Sequence, residues 1–160
     1  MFYPKIDPIF FSIGPIEVHW YGLMYVIGFI LAWRLALTRA KLKSSVISVS
    51  QVDELIFYGA IGVIFGGRFG YILFYGFDAW LEDPFILLRI WEGGMSFHGG
   101  LIGVIIGTLI FSHKKKLQFW AVMDFVAVIT PIGLLTGRLG NFINSELWGS
   151  PSQLPWAMKV

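Results

Sequence analysis

The sequence contains no cysteine, and only 14% of its 160 residues are charged. The absence of cysteine excludes disulfide bonds, thiolate metal ligands and a cysteine nucleophile within this chain, and it leaves the redox compartment open. The net charge of +2 is too small to indicate a nucleic acid partner, so none is expected. Apolar residues, by contrast, make up 56% of the chain. A domain of this size cannot bury so much apolar surface in water, so the composition predicts a polytopic membrane protein.

Four apolar runs are long enough, or nearly so, to cross a bilayer as helices, which takes about 20 residues. They cover residues 18–37, 55–75, 95–111 and 119–136. The residues before the first run have no basic leading region and no small-residue cleavage pattern, so a cleavable signal peptide is not expected. The predicted fold is an all-α membrane helix bundle of four transmembrane helices, in which residues 1–160 form a single membrane domain.

The basic residues predict the orientation of the bundle. Two connections carry basic clusters: Arg39, Lys41 and Lys43 in the first, and Lys114, Lys115 and Lys116 in the other. The opposite side carries fewer basic residues among several acids: Lys5, Arg89 and Arg138, with Asp78, Glu82, Asp83 and Glu92. Because cytoplasmic loops are enriched in Lys and Arg, the two clusters predict a cytoplasmic side and an outward N-terminus.

Glycines recur at four-residue spacing within the apolar runs. The repeats are Gly62, Gly66 and Gly70 in the second run, Gly99, Gly103 and Gly107 in the third, and Gly133 with Gly137 in the fourth. Small residues at this spacing share one helix face and allow helix backbones to approach closely. Tandem copies in consecutive runs therefore predict a compact bundle.

Four polar side chains fall in the outward half of the predicted spans: Tyr21, Arg68, His98 and Arg138. Ionisable residues at membrane depth are costly and usually face a bundle interior or a cavity. Each also has an ordinary interpretation, because Arg138 can snorkel to the interface and Tyr21 fits an aromatic belt. Arg68 is either a substrate ligand or a structural cation held by backbone carbonyls or by Glu92, and the residues alone leave both open.

His98 lies in the stretch SFHGG, where two glycines leave the imidazole open to a ligand. A neutral imidazole can accept a proton, although a packing histidine is the alternative. Neither a second histidine nor an acid lies at metal-ligand spacing from it, so a metal site is not expected.

The fourth run ends in the polar stretch GRLGNFINSELWG, residues 137–149. Arg138, Asn141 and Asn144 are three residues apart, so they share a face if a helix persists there. Guanidinium and amide donors on one wall suit a phosphate oxygen or a polyol, and Glu146 can hold Arg138 or accept from hydroxyls. The alternative is a capped helix end with Gly149 and Pro151 as stop signals.

The chain resembles the bacterial prolipoprotein diacylglyceryl transferase family. The resemblance runs through FSIGPIEVHWYGLMY, GGRFGYILFY, GGMSFHGGLIG and GRLGNFINSELWG, in family order. It implies a seven-helix enzyme of the bacterial inner membrane that transfers the diacylglyceryl group of phosphatidylglycerol to the lipobox cysteine of a prolipoprotein. The products are a thioether and glycerol 1-phosphate, and no metal or organic cofactor is implied.

The resemblance also implies roles for single residues. The family's head-group arginine corresponds to Arg138, its proposed thiol-activating histidine to His98 and its N-terminal tyrosine to Tyr21. Other signature positions correspond to Asn141, Glu146 and Gly149, and a fourth-helix aspartate, to which we assign a structural role, corresponds to Asp124.

Family members continue well beyond Val160, so the resemblance predicts that this chain is truncated at its C-terminal end. Two alternatives from other classes stay open at this point. One is a small anion channel or transporter lined by Arg68 and Arg138, and the other is a membrane fragment without activity.

Overall fold

The computed structural model describes residues 2–4, 6–14, 16–90 and 93–158. In that part of the chain the elements, in order, are strands β1 (Ile9–Ile13) and β2 (Ile16–His19), then helices α1 (Trp20–Ala40), α2 (Val49–Tyr75), α3 (Phe77–Glu82), α4 (Phe97–Lys115) and α5 (Phe119–Ile143). A short 3₁₀ helix, Pro84–Leu87, lies between α3 and α4.

Among the described residues, four helices are long and apolar enough to cross a membrane: α1, α2, α4 and α5. Their mean hydropathies range from 1.2 to 1.8. This confirms the predicted polytopic helical fold and its four spans.

Two of these helices, α2 and α5, extend six or more residues beyond the apolar runs that predicted them. Helix α2 begins at Val49 rather than near residue 55, because the Ser48 N–H donates to the Gln51 side chain at 3.0 Å and starts the helix in a polar turn. Helix α5 continues past Thr136 to Ile143 and so includes Arg138 and Asn141 of the 137–149 stretch.

An antiparallel hairpin, which was not predicted from the sequence, precedes α1. Phe11 pairs with Val18 and Ser12 with Glu17, while Gly14 turns the chain with a positive φ of 60°. Strand β2 then continues into α1 without a loop.

The chain forms two compact units. The first comprises Met1–Ala32 with Ile129–Val160, and the second comprises Trp33–Val128. The prediction that residues 1–160 form a single membrane domain stays a prediction.

In the second unit, α2 and α4 pack through their glycine faces. A methyl group added at Gly62, Gly66, Gly99 or Gly103 would lie closer than 3.0 Å to backbone atoms of the opposite helix. Only glycine allows this approach, so the tandem repeats of these two helices are confirmed as packing surfaces. A methyl group at Gly133 or Gly137 in α5 would meet no described atom within 4 Å, so that pair does not act in this way.

The basic end of α4 is tied to the start of α2. Lys114 pairs with Glu54 at 2.9 Å, and Lys115 pairs with the other carboxylate oxygen of the same residue. Helix α4 ends at Lys115, and the next residue, Lys116, adopts a positive φ of 55°. The Leu117 N–H donates to the Ser112 carbonyl at 2.9 Å, which completes a Schellman motif.

Candidate functional site

In the first unit, a Schellman motif ends α5 inside the polar stretch. Ser145 takes a positive φ of 59°, and its N–H donates to the Phe142 carbonyl at 3.3 Å. The Glu146 N–H reaches back to the Asn141 carbonyl at 3.0 Å. These two bonds satisfy carbonyls at the helix end and fold the chain back over the last turn. The segment therefore combines a helix stop with a cluster of polar side chains.

Asn141 and Asn144 both carry a side-chain oxygen without a hydrogen-bond partner among the described residues. Asn141 is only 9% exposed, and the Asn144 amide donates to the Glu146 carboxylate at 3.4 Å. A buried acceptor without a partner is uncommon in folded proteins and calls for a donor. The end of α5 therefore offers two amide oxygens that can accept hydrogen bonds from hydroxyl groups.

Tyr21 and Arg138 lie at the same end of the first unit. The half-buried Tyr21 ring packs on Gly140, where an added methyl group would come within 2.8 Å of the ring. The Tyr21 hydroxyl is 3.5 Å from that of Tyr25. The Arg138 side chain is exposed and has no hydrogen bond or ion pair within the described part of the chain. Its guanidinium is thus available to an anion.

Three features of this site were missed by sequence reasoning. Tyr3 makes edge-to-face contacts with Phe142 at 4.9 Å and with Trp148 at 4.6 Å, between ring centroids. No local pattern marks a single tyrosine near a chain start, so this contact had no sequence signal. The role of Gly140 beside Tyr21 and the left-handed Ser145 were also missed, because neither departs from ordinary helix composition. Gly149, a predicted site residue, is exposed and directly follows Trp148 in the chain.

In the second unit, His98 is the second residue of α4 and is exposed. Ser96 caps the helix by accepting from the Gly99 N–H at 3.2 Å, as expected for a serine at this position. The imidazole makes no hydrogen bond to any described residue, and its ring lies 5.7 Å from that of Phe97. It can therefore exchange a proton with a group presented to the start of α4.

Arg68 is 3% exposed and is held by backbone carbonyls. Its Nη1 donates to Gly93 and, at 3.3 Å, to Gly94, and its Nη2 donates to Ile86 at 2.6 Å. Of the two roles that the sequence left open for Arg68, this arrangement fits a structural cation held by backbone carbonyls. Glu92, the acidic partner considered, lies outside the described residues.

The predicted site residues thus divide between the two units. Tyr21, Arg138, Asn141, Asn144, Glu146 and Gly149 belong to the first unit, and Arg68 and His98 belong to the second. Asp124, to which a structural role was assigned, is an exposed residue of α5 in the second unit.

An apolar groove of about 380 Å³ follows the α2–α4 glycine face. Its walls include Tyr58, Phe65, Phe69, Ile106 and Ile110, and none of the predicted site residues lines it. The groove suits apolar groups rather than the polar chemistry at the ends of α4 and α5.

Comparison with known proteins gives the chain a family. Residues 8–160 match the family described as prolipoprotein diacylglyceryl transferase. The chain is 57% identical over 157 residues to the phosphatidylglycerol–prolipoprotein diacylglyceryl transferase of Methylococcus capsulatus, covering 98% of this chain and 60% of that protein. It is 54% identical over 158 residues to the protein of the same name from Coxiella burnetii, covering 99% and 60%.

A third relative with that name, from Mannheimia succiniciproducens, is 56% identical over 156 residues, covering 98% of this chain and 58% of the relative. The chain thus spans about 60% of the length of the curated relatives it matches. The family match extends over nearly all of its residues. The chain belongs to the prolipoprotein diacylglyceryl transferase family.

Proposed function

We propose that this chain is the N-terminal portion of an enzyme that transfers the diacylglyceryl group of phosphatidylglycerol to the lipobox cysteine of a prolipoprotein. The observation that carries the proposal is the cluster at the end of α5. A free guanidinium, two amide oxygens and a carboxylate gather beside Tyr21, in a chain that belongs to this family. Family membership supplies the reaction, and the cluster supplies groups that fit its substrate.

The proposed reaction requires two changes at the glyceryl carbon that bears the phosphate ester. The cysteine thiol loses its proton, and the thiolate sulfur attacks that carbon to form a C–S bond. The C–O bond to the phosphate breaks, and its electron pair leaves on the phosphate oxygen as glycerol 1-phosphate. The protein has to accept one proton and stabilise negative charge that develops on the leaving phosphate.

We assign the phosphate to Arg138 and the free glycerol of the head group to the residues around it. A guanidinium binds phosphate oxygens through paired N–H groups, and the Arg138 side chain is exposed and unpaired within the described part of the chain. The side-chain oxygens of Asn141 and Asn144 have no hydrogen-bond donor among the described residues. The hydroxyl groups of glycerol can supply such donors. Glu146 adds a further acceptor, and Tyr21 brings a hydroxyl to the same place.

We assign the proton transfer to His98. It carries an exposed imidazole at the start of α4, with no described partner that occupies its nitrogens. A neutral imidazole is the commonest general base in proteins, and a thiol requires one to become a nucleophile.

The proposed location is the bacterial inner membrane, with the ends of α4 and α5 that carry these residues facing outward. The basic clusters at the opposite helix ends support this orientation, since Lys and Arg are retained on the cytoplasmic side. Prolipoproteins exported across that membrane would present their lipobox on the outward side, together with the phosphatidylglycerol of the bilayer.

The test uses liposomes of labelled phosphatidylglycerol with a lipobox peptide. The chain is assayed as it stands and, in parallel, joined to the remaining C-terminal part of the Methylococcus capsulatus relative. Label appearing on the peptide through a thioether bond is the expected result with the joined protein. A peptide with serine in place of cysteine and liposomes of zwitterionic lipid are the controls. Absence of labelled peptide from both proteins would overturn the proposal, and anion flux through the liposomes would favour the channel alternative.

A further inference from the structure

The Arg68 guanidinium binds the segment of chain that leads to α4. At 3% exposure, a guanidinium in a membrane-spanning helix needs hydrogen-bond partners within the protein. Its Nη1 and Nη2 groups donate to the carbonyls of Ile86, Gly93 and Gly94, which are 18 to 26 residues further along the chain, while Nε has no hydrogen-bond partner among the described residues. The side chain therefore fastens the α3–α4 connection to the C-terminal half of α2.

Neighbours of Arg68 on α2 hold the next residues of the same connection. Gly94 has a positive φ of 78° and lies against the Tyr71 ring, where an added methyl group would come within 3.0 Å of ring atoms. Two residues later, the Ser96 N–H donates to the Gly67 carbonyl at 2.9 Å. Arg68, Tyr71 and Gly67 together form what we call the α2 seat. Gly93, Gly94 and the cap residue Ser96 each contact a residue of this seat.

His98 lies two residues after Ser96, the last residue that the α2 seat holds. Its side chain makes no hydrogen bond to a described residue. The position of its imidazole is therefore set by the backbone at the start of α4. That backbone is held by the glycine face along α4 and by the α2 seat at Ser96, the residue that caps the helix.

We infer that Arg68 is a positioning residue for His98, which acts by fixing residues 93–96 and thereby the first turn of α4. This inference rests on the proposed function, because it assigns Arg68 to the placement of the base rather than to the lipid head group. A displacement of about 1 Å in a catalytic group lowers turnover by about 100-fold, so a loss of the seat has a measurable consequence.

The kinetic test compares Arg68→Ala with Arg68→Lys in the liposome assay. Arg68→Ala is expected to lower kcat by about 100-fold and to leave KM for phosphatidylglycerol within about threefold. Arg68→Lys keeps a cation with three N–H donors and is expected to recover part of kcat. Arg34→Ala, an exposed arginine of the same unit, is the control and is expected to have little effect. A raised KM with unchanged kcat in Arg68→Ala would make Arg68 a head-group ligand and overturn the inference.

Hydrogen exchange measured by mass spectrometry gives a second readout that needs no substrate. In Arg68→Ala, peptides covering residues 93–97 are expected to exchange at least about tenfold faster, while those covering 103–112 stay protected by the glycine face. Faster exchange along the whole of α4 would indicate general loss of structure and overturn the inference. If the unsubstituted protein transfers no label, the proposed function fails, whereas the exchange data still decide whether Arg68 holds this segment.

Discussion

Two arginines in the membrane-spanning helices of this chain have opposite surroundings. Arg68 in α2 is 3% exposed and donates to three carbonyls, whereas Arg138 in α5 is exposed and has no bonded partner among the described residues. A guanidinium whose N–H groups are bonded to the backbone stabilises local structure, while one with free N–H groups can bind an anion. The same residue type at a similar predicted depth thus has two different environments, and we propose a different role for each.

The neighbours of each arginine explain the difference. Gly67 and Gly70 flank Arg68 and bring α4 and its preceding connection so close that the side chain is enclosed. Arg138 lies one turn before the end of α5, where the chain reverses at Ser145 and leaves the helix end open. Gly137 and Gly140 stand at the same spacing around the exposed Arg138, so glycines alone do not enclose a cation. Arg68 is enclosed because α4 and the connection before it pack closely against its helix.

The substitution with the largest expected effect is Arg138→Ala. Removal of the only free guanidinium assigned to the phosphate should lower transfer by about 1000-fold, because charge on the leaving group loses its partner. The labelled-lipid assay with the joined protein measures this change. Near-normal activity of this variant would mean that Arg138 does not bind the phosphate, and that the two arginines do not differ in function as proposed.

His98→Ala is expected to lower the rate by at least about 100-fold, as for loss of a general base. The matched control is His19→Ala, an exposed histidine of β2 to which no role is assigned. The pH dependence of kcat/KM is recorded for both variants. A small loss of rate with an unchanged pH profile in His98→Ala would eliminate the base role.

Gly66→Ala tests the enclosure around Arg68. The added methyl group would lie closer than 3.0 Å to backbone atoms of Gly99 and Gly103, so α2 and α4 must separate. The expected loss is about 1–3 kcal/mol in the free energy of unfolding, measured by denaturant titration in detergent micelles.

Gly59→Ala in the same helix is the control, because a methyl group there meets no described atom within 4 Å. Its free energy of unfolding is expected to stay the same or to rise slightly. Equal losses in the two variants would mean that the glycine face does not decide the packing.

The smallest expected effects are at the two left-handed helix ends. Lys116→Gly and Ser145→Gly each replace a residue with a positive φ, 55° and 59°, by one that adopts it without steric cost. Each should raise the free energy of unfolding by about 1 kcal/mol in the same titration. A decrease in the free energy of unfolding of either variant would mean that contacts of the native side chain stabilise the fold by more than the positive φ destabilises it.

The four spans could be predicted because the length and apolar composition of a segment identify it as a candidate to cross a bilayer. Their ends could not, since hydropathy is insensitive to a polar helical turn such as the one that starts at Ser48. The hairpin before α1 was missed although a signal exists: Gly14 and Pro15 separate two short runs rich in β-branched and aromatic residues.

For the site, spacing predicted that Arg138, Asn141 and Asn144 share one face if the helix persists. Helix α5 extends to Ile143, so it includes Arg138 and Asn141 and ends one residue before Asn144. Spacing could not distinguish the surroundings of Arg68 from those of Arg138, because enclosure depends on contacts with residues 18 to 26 positions away. The orientation of the bundle and the roles of the site residues stay predictions.

The bonds of Arg68 also constrain the order of events during synthesis. Its carbonyl partners are made 18 to 26 residues after it, which corresponds to about 1–5 s at about 5–20 residues per second. Throughout that interval α2 has to enter the bilayer with an unpaired cation, which costs a few kcal/mol on insertion scales. The 27-residue length and mean hydropathy of 1.5 of α2 offset this cost until Gly93 and Gly94 leave the ribosome. Shortening the apolar part of α2 would therefore impair membrane insertion before it affected the finished fold.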